Sequence, residues 1–463
     1  MTDAAATHAD TTTAPGPPGA VTQWHAGLPR LEGTLPQDAD ALTRHLRAGE
    51  ALLAALPPAP EREEEQRRRA ADIVTASRAL RERFIARHAE QVHDELTDGR
   101  SRFPRLSELA FAAAERYPGL VPDRAQLAAE RALAQEHKEG REIDQGIFFR
   151  GLLRSPAIGA HLMASMRAAT PRARELLDDF RRSGHVRLTT VDLERRDGAG
   201  YLTVHNEHCL NAEDDQLIAD METAVDLVLL DDSSHVGVLR GSVMTHPRYR
   251  GRRVFSAGIN LKQLRDGRIS FVDFLLRREL GYVAKLLRGL LLDPAAGDAL
   301  GQTVEKPWIA AVEGFAIGGG MQLLLVADRV IAAEDAFFSL PAAKEGIVPG
   351  AGNLRLTRLT GARLARRIIL GGHTLQASDP EARLLCDDVV PAERMDEAVE
   401  AAVRELDNPA VLANRGMLHL AEESPDQFRA YLAEFAYVQA VRMHSADVLG
   451  KVGRFGRTQE ASA

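Results

Sequence analysis

Cysteine is nearly absent: Cys209 and Cys386 are the only two in 463 residues. Two thiols build neither a disulfide framework nor a four-thiolate metal site, and both are expected reduced and buried. Apolar runs near the roughly 20 residues that span a bilayer are also missing, so no membrane anchor is expected. The opening stretch MTDAAATHADTTTAPGPPGA has no basic or apolar region of the secretory kind. Residues 1–23 read as a frayed tail, and the chain is expected in the cytoplasm. Basic charge is not in excess either. With 58 Lys and Arg against 66 Asp and Glu, the formal charge of −8 argues against a general nucleic-acid binder. No G-x-G-x-x-G follows a strand, which leaves a nicotinamide or flavin Rossmann site without support. His205 and His208 lie three residues apart, but in a stretch that begins as a strand and lacks a set of carboxylates. No metal is expected.

What is present reads as an ordinary globular composition, 45% hydrophobic and 27% charged. The length exceeds what one hydrophobic core usually organises, so two structural regions are expected. From Trp24 to Ser183 apolar residues recur at three- and four-residue spacing within Ala-, Leu-, Arg- and Glu-rich sequence, which predicts helices. The charge run Glu61 to Arg69 is a solvated helix face or a partner surface. Near Gly184 the texture changes. HVRLTTVDLERRDGAGYLTVHN alternates around Asp197-Gly198, the signature of two strands joined by a turn. Beyond it VDLVLLDD, VGVLRGS and PWIAAVEGFAI read as short strands, alternating with helical stretches such as FVDFLLRRELGYVAKLLRGLLL. After Leu354 the pattern is helical again. The expected organisation is a helical domain over 24–184, an α/β domain over 185–390 and a helical region over 391–463.

The strongest local signal is Gly318-Gly319-Gly320, which follows the apolar strand Trp308 to Ile317 and precedes the helical run MQLLLVADRVIAA. Glycines let a ligand approach the backbone, and the first N–H groups of a helix are free to meet negative charge. The same triplet also permits tight strand-to-helix packing. A second run of small residues, Val254-Phe255-Ser256-Ala257-Gly258-Ile259-Asn260-Leu261, interrupts a strand about sixty residues earlier. The pair resembles the bipartite oxyanion hole of the crotonase (enoyl-CoA hydratase and isomerase) superfamily. The resemblance runs from about Leu188 to Val390 and is carried by FSAGINL, AAVEGFAIGGGMQLLLVADRVIA and FSLPAAKEGIVPGAGNLRL. It implies a β-β-α spiral core with an all-helical N-terminal extension and C-terminal helices, assembled as trimers or as a dimer of trimers.

By motif position the resemblance puts the two oxyanion amides on Ile259 and Gly319. Hydratases of the family carry one Glu two residues after the glycine triplet and another directly after the Pro of the later motif; here Gln322 and Ala342 stand there. Neither an amide nor a methyl group exchanges a proton at neutral pH, so hydration is not expected. Gln322 reads as a substrate-positioning group or as a satisfied polar core residue. HPRYRGRR places His246, Arg248, Arg250, Arg252 and Arg253 within eight residues, suited to the phosphates of CoA or to a solvated loop. The resemblance seats CoA on His246, Pro247, Arg248 and Tyr249, and on Ala257, Gly258, Asn260 and Lys262. Ile317 and Gly318 are expected against the acyl group.

FAIGGG, LLLVADRV, VDFLLRRELGY and ESPDQFRAYLAEFA, together with the helical extension, resemble more narrowly the branch of the family that oxygenates arylacetyl-CoA thioesters. That resemblance implies conversion of (3,5-dihydroxyphenyl)acetyl-CoA and O₂ to the aryl glyoxylate and CoA, with no metal or flavin. The product would feed dihydroxyphenylglycine and glycopeptide antibiotic synthesis. Enolate stabilisation and conjugation with the ring let the substrate itself reduce oxygen, which otherwise needs a redox cofactor. Glu213 and Arg278 are then expected at the phenolic hydroxyls, the alternatives being a solvated helix-start carboxylate and a surface ion pair. Leu261 and Ile347 wall a dry pocket that admits O₂, or simply pack the core. Two rivals stand beside this reading. One is another acyl-CoA isomerase, lyase or hydrolase using Lys344 or Glu345 for proton transfer; the other is a non-catalytic acyl-CoA-binding scaffold.

Overall fold

A helix of 33 residues, Glu64–Leu96, forms the spine of the N-terminal half, and its sequence explains it. Ile73, Leu80, Phe84, Ile85, Val92 and Leu96 fall at helical spacing and are all buried. Glu63 and Gln66 form a reciprocal capping box at its start. The computed structural model describes residues 19–296 and 299–451. Most of the expected N-terminal tail, residues 1–18, therefore lies outside the described residues; the first helix, Ala20–Ala26, begins before Trp24. Helices continue to Pro171–Ser183, which ends on Gly184 in the left-handed conformation.

Strands begin at His185. Val191–Arg196 and Ala199–Val204 pair antiparallel around Asp197 and Gly198, whose φ angles are 49° and 78°. Both are positive, as a two-residue hairpin turn requires. The main sheet then runs through Val236–Gly241, Trp308–Val312, Arg329–Ala333 and Asp388–Val390, all parallel from Ala199–Val204 onward. A smaller sheet has Phe337–Ser339 between Phe315–Ile317 and Thr374–Gln376. The fold is mixed α/β with a helical N-terminal region and C-terminal helices.

Several elements differ from expectation. FVDFLLRRELGYVAKLLRGLLL breaks at Gly281 and ends in the strand Leu290–Leu291, and the helical pattern after Leu354 is interrupted by the strands Thr374–Gln376 and Asp388–Val390. VDLVLLDD is not a strand: it lies almost wholly in the helix Asp215–Leu230, which Asp214 caps by accepting from the Leu217 N–H. A short apolar run fits a buried helix as well as a buried strand, and the cap eleven residues upstream of Val225 decides. The expected single strand Trp308 to Ile317 is two, broken at Glu313-Gly314, so the chain leaves the large sheet for the small one. MQLLLVADRVIAA is helical only to Leu324; Arg329–Ala333 is a sheet strand buried from Val330 on.

The C-terminal helix Pro425–Met443 folds back onto Glu142–Arg154, where Gly146 lies against the Ala436 carbonyl with no room for a Cβ. Arg150 and Arg154 both pair with Glu434 across that contact. One continuous apolar core therefore reaches from Leu31 to Val448 and ties helical and sheet regions together. No helix among the described residues is long and apolar enough to cross a membrane.

Candidate active site

Two loops meet backbone to backbone at the edge of the small sheet. Ser256 bridges Ala316 in parallel register, with Ile317 N–H donating to the Ser256 carbonyl at 2.9 Å. This aligns Gly258 with Gly318, whose φ angles are 81° and 54°. A Cβ on Gly258 would stand 3.0 Å from the Ile317 carbonyl oxygen, and the positive φ at both positions strains any L side chain, so glycine suits both.

Ile259 also bridges Glu213 in parallel register. In that pattern the neighbours make the bonds: Glu213 N–H donates to the Gly258 carbonyl at 2.6 Å, and Asn260 N–H to the Glu213 carbonyl at 2.8 Å. The Ile259 N–H is turned to the other side. Gly319 opens the helix Gly319–Leu324, where the ladder offers its N–H no acceptor. Among the described residues neither amide has a hydrogen-bond partner, and both residues line one cavity. A larger groove of about 1150 Å³ lies between Glu64–Leu96 and Glu142–Arg154, and neither glycine loop lines it.

A buried charge cluster forms one wall. Phe271–Leu276 is π-helical, and Ser270 caps it by accepting from the Asp273 N–H. π-helical turns are rare and concentrate at functional sites. Just beyond this one, adjacent arginines diverge. Arg277 Nε donates to Glu222 at 2.7 Å, whereas Arg278 Nε reaches both Glu213 oxygens at 3.1 Å. Arg278 also donates to Glu279 at 2.7 Å, to Gln322 Oε1 at 3.1 Å and to the Gly319 carbonyl at 2.7 Å. Tyr282 donates its hydroxyl to Glu213 at 3.2 Å. Burial opposes the Arg278 charge, but Glu213, Tyr282 and Glu279 outweigh it and hold the guanidinium above its ordinary pKa. Burial likewise pushes the Tyr282 phenol well up.

Glu213 and Arg278 are thus partners of each other, buried rather than solvated. Gln322 accepts from Arg278 through its carbonyl oxygen and leaves its amide nitrogen without a hydrogen bond among the described residues. Ile347 and Gly318 line the cavity. Ile317 and Leu261 do not: Ile317 packs with Met244, Val254 and Phe315, and Leu261 against the main core. Sequence reasoning passed over Glu279 and Tyr282. Their signal was the RRELGY spacing, which sets Arg278, Glu279 and Tyr282 within five residues.

The basic segment divides. Pro247–Tyr249 forms a single exposed turn capped by His246, and Arg248 lies 5.4 Å from the Tyr249 ring. Tyr249 and Ala257 share the Met244, Val254, Phe315 and Ile317 cluster. Arg248, Arg250 and Lys262 are exposed. Arg252 and Arg253 are not free: Arg252 pairs with Asp335, while Arg253 donates to the Gly241 carbonyl at 3.1 Å and lies 3.7 Å from Glu313. Asn260 is buried and caps the helix Leu261–Arg265 through Gln263 N–H. Both cysteines are free, but only Cys386 is buried; Cys209 is half-buried. Among the described residues no three His, Cys, Asp or Glu side chains group so as to hold a metal ion.

Ala342 starts the short helix Ala342–Glu345, one turn before Glu345. Lys344 is turned outward to the Gly372 carbonyl at 3.2 Å. Glu345 lines the cavity. Burial alone pushes its carboxyl pKa up to about 7.

Among the described residues, one cavity is thus lined by Ile259 and Gly319, whose amides are unpaired, and by Glu345, a carboxylate without a counter-charge; forming an enolate requires oxyanion donors and a proton acceptor. The chain is similar to known proteins. The profile of the enoyl-CoA hydratase/isomerase family matches residues 296–447. A (3,5-dihydroxyphenyl)acetyl-CoA 1,2-dioxygenase from Amycolatopsis orientalis is 57% identical over 418 residues, 90% of this chain and 96% of the relative. A probable enoyl-CoA hydratase from Rhizobium meliloti is 33% identical over 46% of this chain and 74% of the relative. Among solved structures, a carnitinyl-CoA hydratase from Mycobacterium avium matches with a TM-score of 0.48 at 24% identity, over 59% of this chain and 97% of that one. The chain belongs to the enoyl-CoA hydratase/isomerase, or crotonase, family.

Proposed function

We propose that this chain is a cofactor-independent dioxygenase that converts (3,5-dihydroxyphenyl)acetyl-CoA and O₂ to (3,5-dihydroxyphenyl)glyoxylate and CoA. The observation that carries the reading is the 57% identity to the Amycolatopsis dioxygenase across 90% of the chain, helical N-terminal half included. The hydratase relative matches less than half of the chain.

The Ile259 and Gly319 amides hold the thioester oxygen, and removal of the α-proton leaves its electron pair as an enolate conjugated with the ring. That carbanion passes an electron to O₂, and the carbon–oxygen bond forms between the resulting radicals. The peroxide so formed attacks the thioester carbon and expels CoA as its thiolate; the O–O bond then breaks as the second α-proton leaves, so one oxygen atom becomes the keto oxygen and the other a carboxylate oxygen of the glyoxylate. The protein's own contribution is placement and electrostatics; each oxyanion donor contributes on the order of 100- to 1000-fold in rate. Gln322 and Ala342, standing where hydratases carry acids, suppress addition of water. The buried Glu213, Arg278 and Tyr282 cluster offers polar groups to the phenolic end of the substrate, and Ile347 contributes to a dry wall for O₂. Arg248 and Lys262, exposed near the Gly258 loop, are placed for the CoA phosphates, with His246, Pro247 and Tyr249 beside the pantetheine path.

The finer architecture that goes with this reading is the β-β-α spiral, divided at about residues 184 and 390. A homo-oligomer, trimer or hexamer, suits the exposed apolar Met417, Leu418 and Leu420 on helix Pro409–Glu422, at 66%, 58% and 66% exposure. Such an enzyme works in the cytoplasm, where its product supplies dihydroxyphenylglycine for glycopeptide antibiotics.

An oxygen-electrode assay of chelator-treated protein with (3,5-dihydroxyphenyl)acetyl-CoA tests the reading, with ¹⁸O₂ label followed into product. Uptake with both labelled atoms in the glyoxylate is expected. No uptake, or uptake only after iron is added, overturns it.

A further inference from the structure

We propose that Glu345 is the general base that takes the α-proton of the acyl-CoA, an inference that rests on the dioxygenase reading. Three carboxylates line the cavity beside Ile259 and Gly319: Glu213, Glu279 and Glu345. The first two are spent as acceptors. Glu213 takes Arg278 on both oxygens and Tyr282 on one. Glu279 takes Arg278 and, at 3.1 Å, the Ala351 N–H. Protonating either would break the pairing of a buried guanidinium, which is strongly unfavourable.

Glu345 has no such duty. Among the described residues its carboxylate forms no hydrogen bond and no ion pair, although it is half-buried and faces the cavity. The groups around it are engaged elsewhere. On its own helix, Lys344 is turned to Gly372. On the facing helix Pro425–Met443, Arg442 donates to the Gly346 carbonyl at 2.6 Å and pairs with Asp447, and Tyr431 donates to the Gly350 carbonyl at 2.6 Å. Arg278 lies across the cavity within its own cluster. No cation therefore holds Glu345 ionised, and burial shifts its carboxyl to about 7, where a general base accepts a proton and returns it near neutral pH.

The position has a structural logic. The acid that hydratases carry at the start of this helix is replaced by Ala342, and one helical turn carries Glu345 round to the same side. The missing function returns three residues later from a different Cα. In the step itself the α C–H bond breaks and a Glu345 O–H bond forms. The electron pair moves into the C=C bond of the enolate, and negative charge settles on the oxygen between Ile259 and Gly319 N–H. No oxidant takes part until this step is complete.

The step is read directly, without O₂, as exchange of the α-hydrogens of (3,5-dihydroxyphenyl)acetyl-CoA with D₂O, followed by NMR. In Glu345→Gln, exchange and aerobic kcat are expected to fall about 100-fold or more, the usual worth of a general base. KM and the urea midpoint should stay near those of the native protein. Native kcat/KM should rise with pH through about 7, a limb that Glu345→Gln lacks and Glu345→Asp partly restores. Native-rate exchange in Glu345→Gln, or an unchanged pH limb, overturns the assignment while leaving the dioxygenase reading intact. If the native protein neither exchanges the α-hydrogens nor consumes O₂, the dioxygenase reading falls and the base with it.

Discussion

Arg278 clamps Glu213 against the glycine loop: its Nε lies 3.1 Å from both carboxylate oxygens, while its Nη2 donates to the Gly319 carbonyl at 2.7 Å. One guanidinium thus fixes both the acidic wall of the cavity and the backbone that follows the glycine turn. Electrostatics and loop geometry are coupled through a single side chain.

Arg278→Ala leaves Glu213 and Glu279 buried without a counter-charge. The loss expected is about 3–5 kcal/mol of stability, the usual cost of breaking a buried pair from one side. Urea unfolding followed by circular dichroism measures it; a change below about 1 kcal/mol would mean that water enters and takes over the role of the arginine.

A Cβ on Gly319 collides with the Glu213 carboxylate. Gly319→Ala is therefore expected to push Glu213 off the loop and to misplace the Gly319 N–H. Oxygen uptake should drop on the order of 100-fold with secondary structure retained, as for the loss of one oxyanion donor. Activity within a few-fold of native would dissociate this amide from the reaction.

Gln322 meets Arg278 through its carbonyl oxygen alone. Gln322→Ala removes one hydrogen bond to a charged group, and a roughly 10- to 100-fold fall in kcat is expected, matching about 1.5–3 kcal/mol. The fold should remain intact. Unchanged kinetics would return Gln322 to the status of a core residue.

Far from the site, His93 and His161 share a hydrogen bond of 2.9 Å in the N-terminal helices. Burial, then the nearby His161, lowers the His93 pKa to about 4. Between pH 6.5 and 4 the unfolded chain binds a proton here that the folded one refuses, so stability falls as pH falls across that window. The fall is complete near pH 4 and absent above about 6.5. In His93→Gln the decline of the urea midpoint from pH 6.5 to 4 should be shallower than in the native protein. Equal slopes would place the acid sensitivity in other groups.

Much of the site was legible because glycine has few substitutes. Gly258 and Gly318 stand at positive φ in loops that touch, and no other residue serves both needs, so the motif survives in the letters. The hairpin at Asp197-Gly198 was legible for the same reason. VDLVLLDD was not, since a short run rich in Val and Leu satisfies either a helix or a strand until the cap at Asp214 is considered. Nor was the turn of the chain between sheets at Gly314, which depends on what packs on either side.

The sequence by itself determined the helical first half, the hairpin at Asp197-Gly198, and the presence of Gln322 and Ala342 where the motifs it resembles carry glutamates. The first two follow from local spacing and residue chemistry, which the chain carries without folding, and the third from the resemblance of its motifs to a known family. Only the tertiary structure decided that Glu213 and Glu279 are committed to Arg278 while Glu345 is left alone in the cavity. The charge state of a carboxylate depends on its solvent and its neighbours, and Glu213 meets Arg278 from 65 residues away in the chain.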